Sequence, residues 1–221
     1  MKIVEIVDFL NRSSVIKKDT ISLVVLGGSR GCGFENENSD YDLNFYPRTG
    51  FENWESGMNT FGFVKIGKHL VHWYFHPMDL TLVNMLPEIF YYAKMPLQKE
   101  ECFLIYDDVG KKYKDFLNKN ADDISLYFLK KLFEGFESEN KRIFANGSAF
   151  PLKWRYGLAL LANYFGFSNY SKEEILEYKN NKNLPMDTRG RGKGIENLMN
   201  FVIRQSFSPS FLFEENKKWK Q

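Results

Sequence analysis

The order of apolar and polar positions divides the chain into two regions. In residues 2–11, KIVEIVDFLN, the side chains Ile3, Val4, Ile6, Val7 and Leu10 fall along one helical stripe. A short amphipathic helix is expected there, closed by the polar run 11–14. Ile21 to Leu26 is uninterrupted and β-branched, the pattern of a buried strand, and Gly27-Gly28 stops it. Residues 29–39 are glycine-rich and polar, which suits a short helix or turn followed by a loop. From Tyr41 the period is two: Tyr41, Leu43 and Phe45 point one way, while Asp40, Asp42 and Asn44 point the other.

Residues 47–59 read as a loop with a short helix around Trp54. Residues 63–66 and 69–75 flank a Gly67-Lys68 turn and predict a hairpin or two successive strands, broken by Pro77. Residues 80–94 are helical in pattern, restarted at Pro87; 102–106 is a short strand, and 111–117 a closing helix. From Asp122 the pattern turns helical throughout. Asp122 or Asp123 is expected to cap a segment reaching about Ala145, with Leu126, Leu129, Leu132, Phe133 and Phe136 on its apolar side. A second helix runs from Pro151 to Phe165 and stops at Gly166. Ser171 with Glu174 is a capping-box signature for a third, and a fourth is expected over 195–205. The prediction is an α+β protein: a small mixed sheet in residues 1–118, then a helical bundle in 119–221.

Composition adds bounds more than direction. With 221 residues, 43% hydrophobic and 17% aromatic, the chain can bury a substantial core. Net charge is only +2, so bulk charge does not predict nucleic-acid binding. Two cysteines, Cys32 and Cys102, are too few for a disulfide scaffold and lack metal-site spacing. Glu5 and Asp8 interrupt the first apolar segment, which therefore does not resemble a signal peptide. No apolar run nears the roughly 18 residues needed to span a bilayer, so a cytoplasmic protein without membrane contact is the expectation.

The chemistry concentrates in Leu26 to Phe45, LGGSRGCGFENENSDYDLNF. A helix starting at Gly28-Ser29 would present unpaired backbone N–H groups and a hydroxyl to a phosphate, and glycine lets the backbone approach closely. Arg30 stands next to that serine and could touch the same phosphate or only cap a surface. On a strand, Asp40 and Asp42 emerge from one face about 6.6 Å apart at the backbone. Paired carboxylates suit Mg²⁺, a hard cation that also contacts substrate phosphates. Two such ions roughly 3.5–4 Å apart would stabilise both oxygens of an in-line displacement. A Walker A loop is absent, since no Gly-Lys-Ser/Thr follows a glycine turn.

At Gly28, Ser29, Asp40 and Asp42 the sequence resembles the nucleotidyltransferases of the DNA polymerase β superfamily, whose signature is a Gly-Ser turn, a short helix and Asp-x-Asp opening the next strand. The longer run GGSRGCGFENENSDYDL looks like the small bacterial members, including antibiotic and minimal nucleotidyltransferases, and LIYDDVG at 104–110 resembles a late segment of such domains. The resemblance covers about half the chain and is specific only over 26–45. It implies a mixed-sheet α+β fold, Mg²⁺ dependence with two ions, and transfer of NMP from ATP or another NTP to an acceptor hydroxyl. That acceptor would be a small antibiotic-like molecule, or a protein or tRNA as in toxin–antitoxin systems, selected by the helical half. A nucleotide-binding or partner-binding descendant without catalysis is the alternative.

The resemblance also implies a third acidic residue on a later strand. The strand 69–75, HLVHWYF, carries His72 at the matching position, and the nearest carboxylate downstream is Asp79, beyond Pro77. Three readings stay open: His72 as base or metal ligand, Asp79 bent back into the site, or no third group. The basic stretch DTRGRGKG at 187–194 could close on a triphosphate or an anionic acceptor, or be a solvated loop.

Overall fold

The computed structural model describes residues 1–48, 61–83, 85–139, 152–180 and 193–206. Most of the expected loop at 47–59, the end of the helical segment expected to reach about Ala145 and residues 187–192 of the basic stretch lie outside the described residues. The fold is α+β: a five-stranded mixed sheet in the N-terminal half, followed by helices that pack together. Among the described residues no helix is long and apolar enough to cross a membrane.

The strands are β1 (Ile21–Leu26), β2 (Tyr41–Pro47), β3 (Phe61–Ile66), β4 (His69–Phe75) and β5 (Phe103–Ile105), arranged β3-β4-β2-β1-β5. Among the neighbouring pairs of these described strands, β2–β4 is parallel and the others are antiparallel. Gly67, at φ +61°, turns β3 into β4 with the positive φ that a two-residue II′ connection needs at its first central position. The alternation read from Tyr41 is real: Tyr41, Leu43 and Phe45 lie on one face with Val24, Val71, Trp73 and Phe75. There they meet Ile6, Val7 and Leu10 of α1 (Ile3–Arg12), all fully buried. Each such side chain contributes about 1.5–3 kcal/mol of burial. Glu5 Oε2 accepts from the Lys2 backbone N–H at 2.8 Å and fixes the helix start.

The opposite face is divided. α4 (Asp108–Lys119) covers one end, where Tyr113 meets Tyr46 with ring centres 5.1 Å apart. The other end, carrying Asp42 and His72, stays partly exposed. The helix expected over 111–117 starts earlier, at Asp108. Asp107 accepts from Gly110 N at 2.8 Å as its N-cap, and takes further bonds from Ser22 Oγ and Arg48 Nε, both 2.9 Å. Similarly, Asp122 and Asp123 are not caps. α5 (Ala121–Glu139) begins before them, and they sit in its first turn, where the helix dipole favours acids.

Contacts divide the described chain into two compact units, residues 1–83 with 98–121, and Met85–Leu97 with 122–206. The segment 85–97 thus belongs with the later helices, although it precedes β5 in sequence. In this second unit, α3 (Leu86–Ala93) stacks Tyr92 on Phe128 of α5 at 5.1 Å, and Ser125 Oγ donates to Ala93 O at 2.5 Å. α6 (Leu152–Tyr164) stacks Trp154 on Phe90 and packs against α7 (Lys172–Asn180) and α8 (Lys193–Arg204). The expected punctuation is present: Gly166 ends α6 at φ +75°, and Ser171 and Glu174 exchange capping bonds of 2.8 and 3.2 Å.

Candidate metal and phosphate site

The site starts where β1 stops. Gly27 N donates to Asp42 O at 2.7 Å, tying the turn to the adjacent strand β2. Gly28 follows at φ +63° and opens the four-residue helix α2 (Gly28–Gly31). A Cβ at Gly28 would overlap Asp42 Oδ2. Two independent constraints therefore demand glycine: the left-handed backbone and the carboxylate packed against it. Ser29 is buried in the same turn.

Arg30 reaches from the turn to the backbone that leads into β2. Its Nε donates to Asp40 O at 3.0 Å and its Nη2 to Ser39 O at 2.7 Å, while the guanidinium lies 4.0 Å over the Tyr41 ring. This fork-and-stack arrangement holds the entry to β2, and with it the carboxylates, in place.

Asp40 and Asp42 emerge on the same side, as the period-two reading expected. The parallel register sets Asp42 directly opposite His72. His72 Nδ1 lies 3.3 Å from Asp40 Oδ2 and 3.5 Å from Asp42 Oδ1. Hydrogen bonding to Asp42, aided by the charges of Asp42 and Asp40, holds the imidazole pKa above its ordinary value, against a partial desolvation that works the other way. Ligand atoms of Asp40, Asp42 and His72 all fall within 4.8 Å of one another. Two carboxylates and an imidazole make a donor set that fits one divalent cation; the oxygens suit Mg²⁺, and the nitrogen widens the choice toward Mn²⁺.

No family model matches the chain, and no curated protein matches it.

Asp79 is not among this group. Its carboxylate accepts from Thr81 N at 2.9 Å and from Thr81 Oγ1, capping the short 3₁₀ turn Leu80–Leu82. An Asp two residues before a threonine is a turn-capping arrangement, and Pro77 leaves the chain no strand on which to carry the side chain back. Glu134, in the helical half, lies 3.9 Å from Lys130 one turn earlier on α5.

The third member of the Asp40–Asp42–Asn44 face is turned to a structural use. Asn44 Nδ2 donates to Val25 O at 3.3 Å, and its Oδ1 lies 2.7 Å from His76 Nε2. Because Asn44 Oδ1 can only accept, His76 carries its proton on Nε2. Full burial pushes the His76 pKa down to about 3, so the ring is neutral. Sequence reading passed over His76; its sole local signal was its place one residue past an apolar strand.

Proposed function

We propose that the chain is a nucleotidyltransferase that moves NMP from an NTP, with ATP as the first donor to examine, to a hydroxyl of a small-molecule acceptor. The observation that carries this reading is the convergence on Asp42. The Gly28 turn packs against its carboxylate from one side, and His72 meets it from the neighbouring strand on the other. An isolated turn or an isolated Asp-x-Asp would not bring these three together.

In this reading Asp40 and Asp42 hold a divalent cation, Mg²⁺ in the first instance, and the resemblance implies a second. The bound cation supplies charge neutralisation at the reacting phosphate. Gly28 and the turn's backbone N–H groups accommodate the outer phosphates, with Ser29 beside them. His72, which faces the carboxylates through Nδ1, is the general base. The acceptor oxygen forms a bond to the α-phosphorus while the bond from that phosphorus to pyrophosphate breaks, its electron pair leaving with pyrophosphate. The hydroxyl proton passes to His72 Nε2.

The direct test is Mg²⁺-dependent pyrophosphate release from ATP across a panel of hydroxyl acceptors that includes tRNA and protein. Loss in both Asp40→Asn and Asp42→Asn supports the enzyme. ATP binding without turnover on any acceptor would favour the non-catalytic nucleotide-binding reading, to which the replacement of an acid by His72 lends weight. Absence of any NTP binding would overturn both.

A further inference from the structure

Beyond His72, the exposed face of the sheet continues onto the edge strand with two bare aromatic rings. Phe63 lies directly opposite His72 in the antiparallel β3–β4 pair, and Phe61 opposite Tyr74. Phe63 is 73% exposed and Phe61 65% exposed, the two most exposed large apolar side chains among the described residues. The Phe63 ring meets the His72 imidazole edge-on, with centroids 6.3 Å apart. On the other side of the strand the fit is close: Gly62 leaves room for the Trp73 ring, which a Cβ there would strike. The strand is therefore packed on one face and bare on the other. Among the described residues β3 is an edge strand, and exposed paired phenyl rings there are an aggregation liability unless they serve a ligand.

The order of features across the sheet says which ligand. The Gly28 turn follows β1; next come Asp42 on β2, His72 on β4 and Phe63 on β3. In an in-line displacement the leaving pyrophosphate and the attacking oxygen sit on opposite sides of the phosphorus. With the phosphate turn on the β1 side of the carboxylates, the attacking group arrives from the side of His72 and β3. We infer that Phe61 and Phe63 form a stacking ledge for the acceptor, and that the acceptor is a small molecule bearing a hydroxyl close to a planar ring. Aromatic faces prefer such rings in offset or edge-to-face contact. The inference rests on the nucleotidyl-transfer reading and names the substrate class of that site.

The test uses the full chain with Mn²⁺, α,β-methylene-ATP and two probes, 4-hydroxyphenethyl alcohol and 2-cyclohexylethanol. Broadening of probe protons by Mn²⁺ reports their proximity to the carboxylates. The aromatic alcohol is expected to be broadened and the cyclohexyl analogue much less so. Phe63→Leu should cut that broadening roughly tenfold, Phe61→Leu less, and Phe63→Tyr should restore it. Mn²⁺ and ATP-analogue affinities should not change in any of these variants. Equal broadening of both probes, or none lost in Phe63→Leu, overturns the ledge. Loss of ATP-analogue affinity in Phe63→Leu also overturns it, by placing the donor base there instead. Failure of the wild-type chain to bind Mn²⁺ would overturn the nucleotidyl-transfer reading itself.

Discussion

Asp42 and His72 face one another across the parallel β2–β4 pair, with Oδ1 and Nδ1 3.5 Å apart. Asp42 is the largest cause of the raised imidazole pKa. An NMR titration of the metal-free chain should therefore place the His72 midpoint above its ordinary value, and Asp42→Asn should lower it. Asp40→Asn should lower it less, because Asp40 contributes through charge and not through the leading hydrogen bond. A midpoint indifferent to Asp42 would mean that the two side chains are not coupled in solution.

His76 predicts the opposite sign of pH dependence. Its folded pKa, about 3, lies below the unfolded value of 6.5. Between these values the unfolded chain binds a proton that the folded chain refuses. The His76 contribution to stability is thus complete above about pH 6.5 and falls as pH drops toward 3, by about 1.4 kcal/mol per pH unit at most. Urea titrations from pH 7 to 4 should show this slope, and His76→Gln should flatten it.

Gly28→Ala tests the turn. Alanine at positive φ costs about 1–2 kcal/mol, and its Cβ meets the Asp42 carboxylate. The variant should lose that much stability and bind Mn²⁺ at least roughly tenfold more weakly, at about 1.4 kcal/mol for each factor of ten. Gly67→Ala is a useful control: its φ is similar, but beyond its own chain neighbours no atom lies within 4 Å of the added Cβ. It should lose stability and keep its cation affinity.

Arg30→Ala separates a clamp from a phosphate ligand. As a clamp, Arg30 contributes two bonds to carbonyls and a ring contact, together on the order of 2–3 kcal/mol. Its removal should lower the melting temperature and weaken Mn²⁺ binding measured without nucleotide. Arg30→Lys should recover little, since an ammonium cannot reproduce the planar fork. A variant with normal stability and normal Mn²⁺ affinity but a weakened ATP interaction would return Arg30 to the phosphates.

Much of this was legible in the chain because it depends on local rules. The period of two from Tyr41 placed Asp40 and Asp42 on one face, whereas His72 was singled out by the family resemblance, as the residue at the matching position of the strand 69–75. Cap chemistry at Ser171–Glu174 and Gly166 was equally local. What escaped reading depends on contacts distant in sequence. Arg30 has the composition of a phosphate ligand, and only the path of residues 39–40 reveals that carbonyls occupy its guanidinium. Asp79 offers a carboxylate, but Thr81 two residues later takes it. Residues 85–97 carry an ordinary helical pattern, and nothing in that pattern says with which unit they pack.

The β3–β4 hairpin has a consequence for how the site comes into being. The Gly67-Lys68 turn joins β3 and β4 directly, so their pairing closes a minimal loop and belongs to the microsecond range. Asp42 and His72 stand thirty residues apart in sequence, and their parallel pairing must first overcome a larger closure entropy. During refolding, a chain that has already joined β1 to β2 holds both carboxylates beside the Gly28 turn but still lacks His72. The docking of one preformed hairpin brings in His72 and the two phenylalanines in a single event, so the Asp40–Asp42–His72 cluster and the aromatic surface beside it form together.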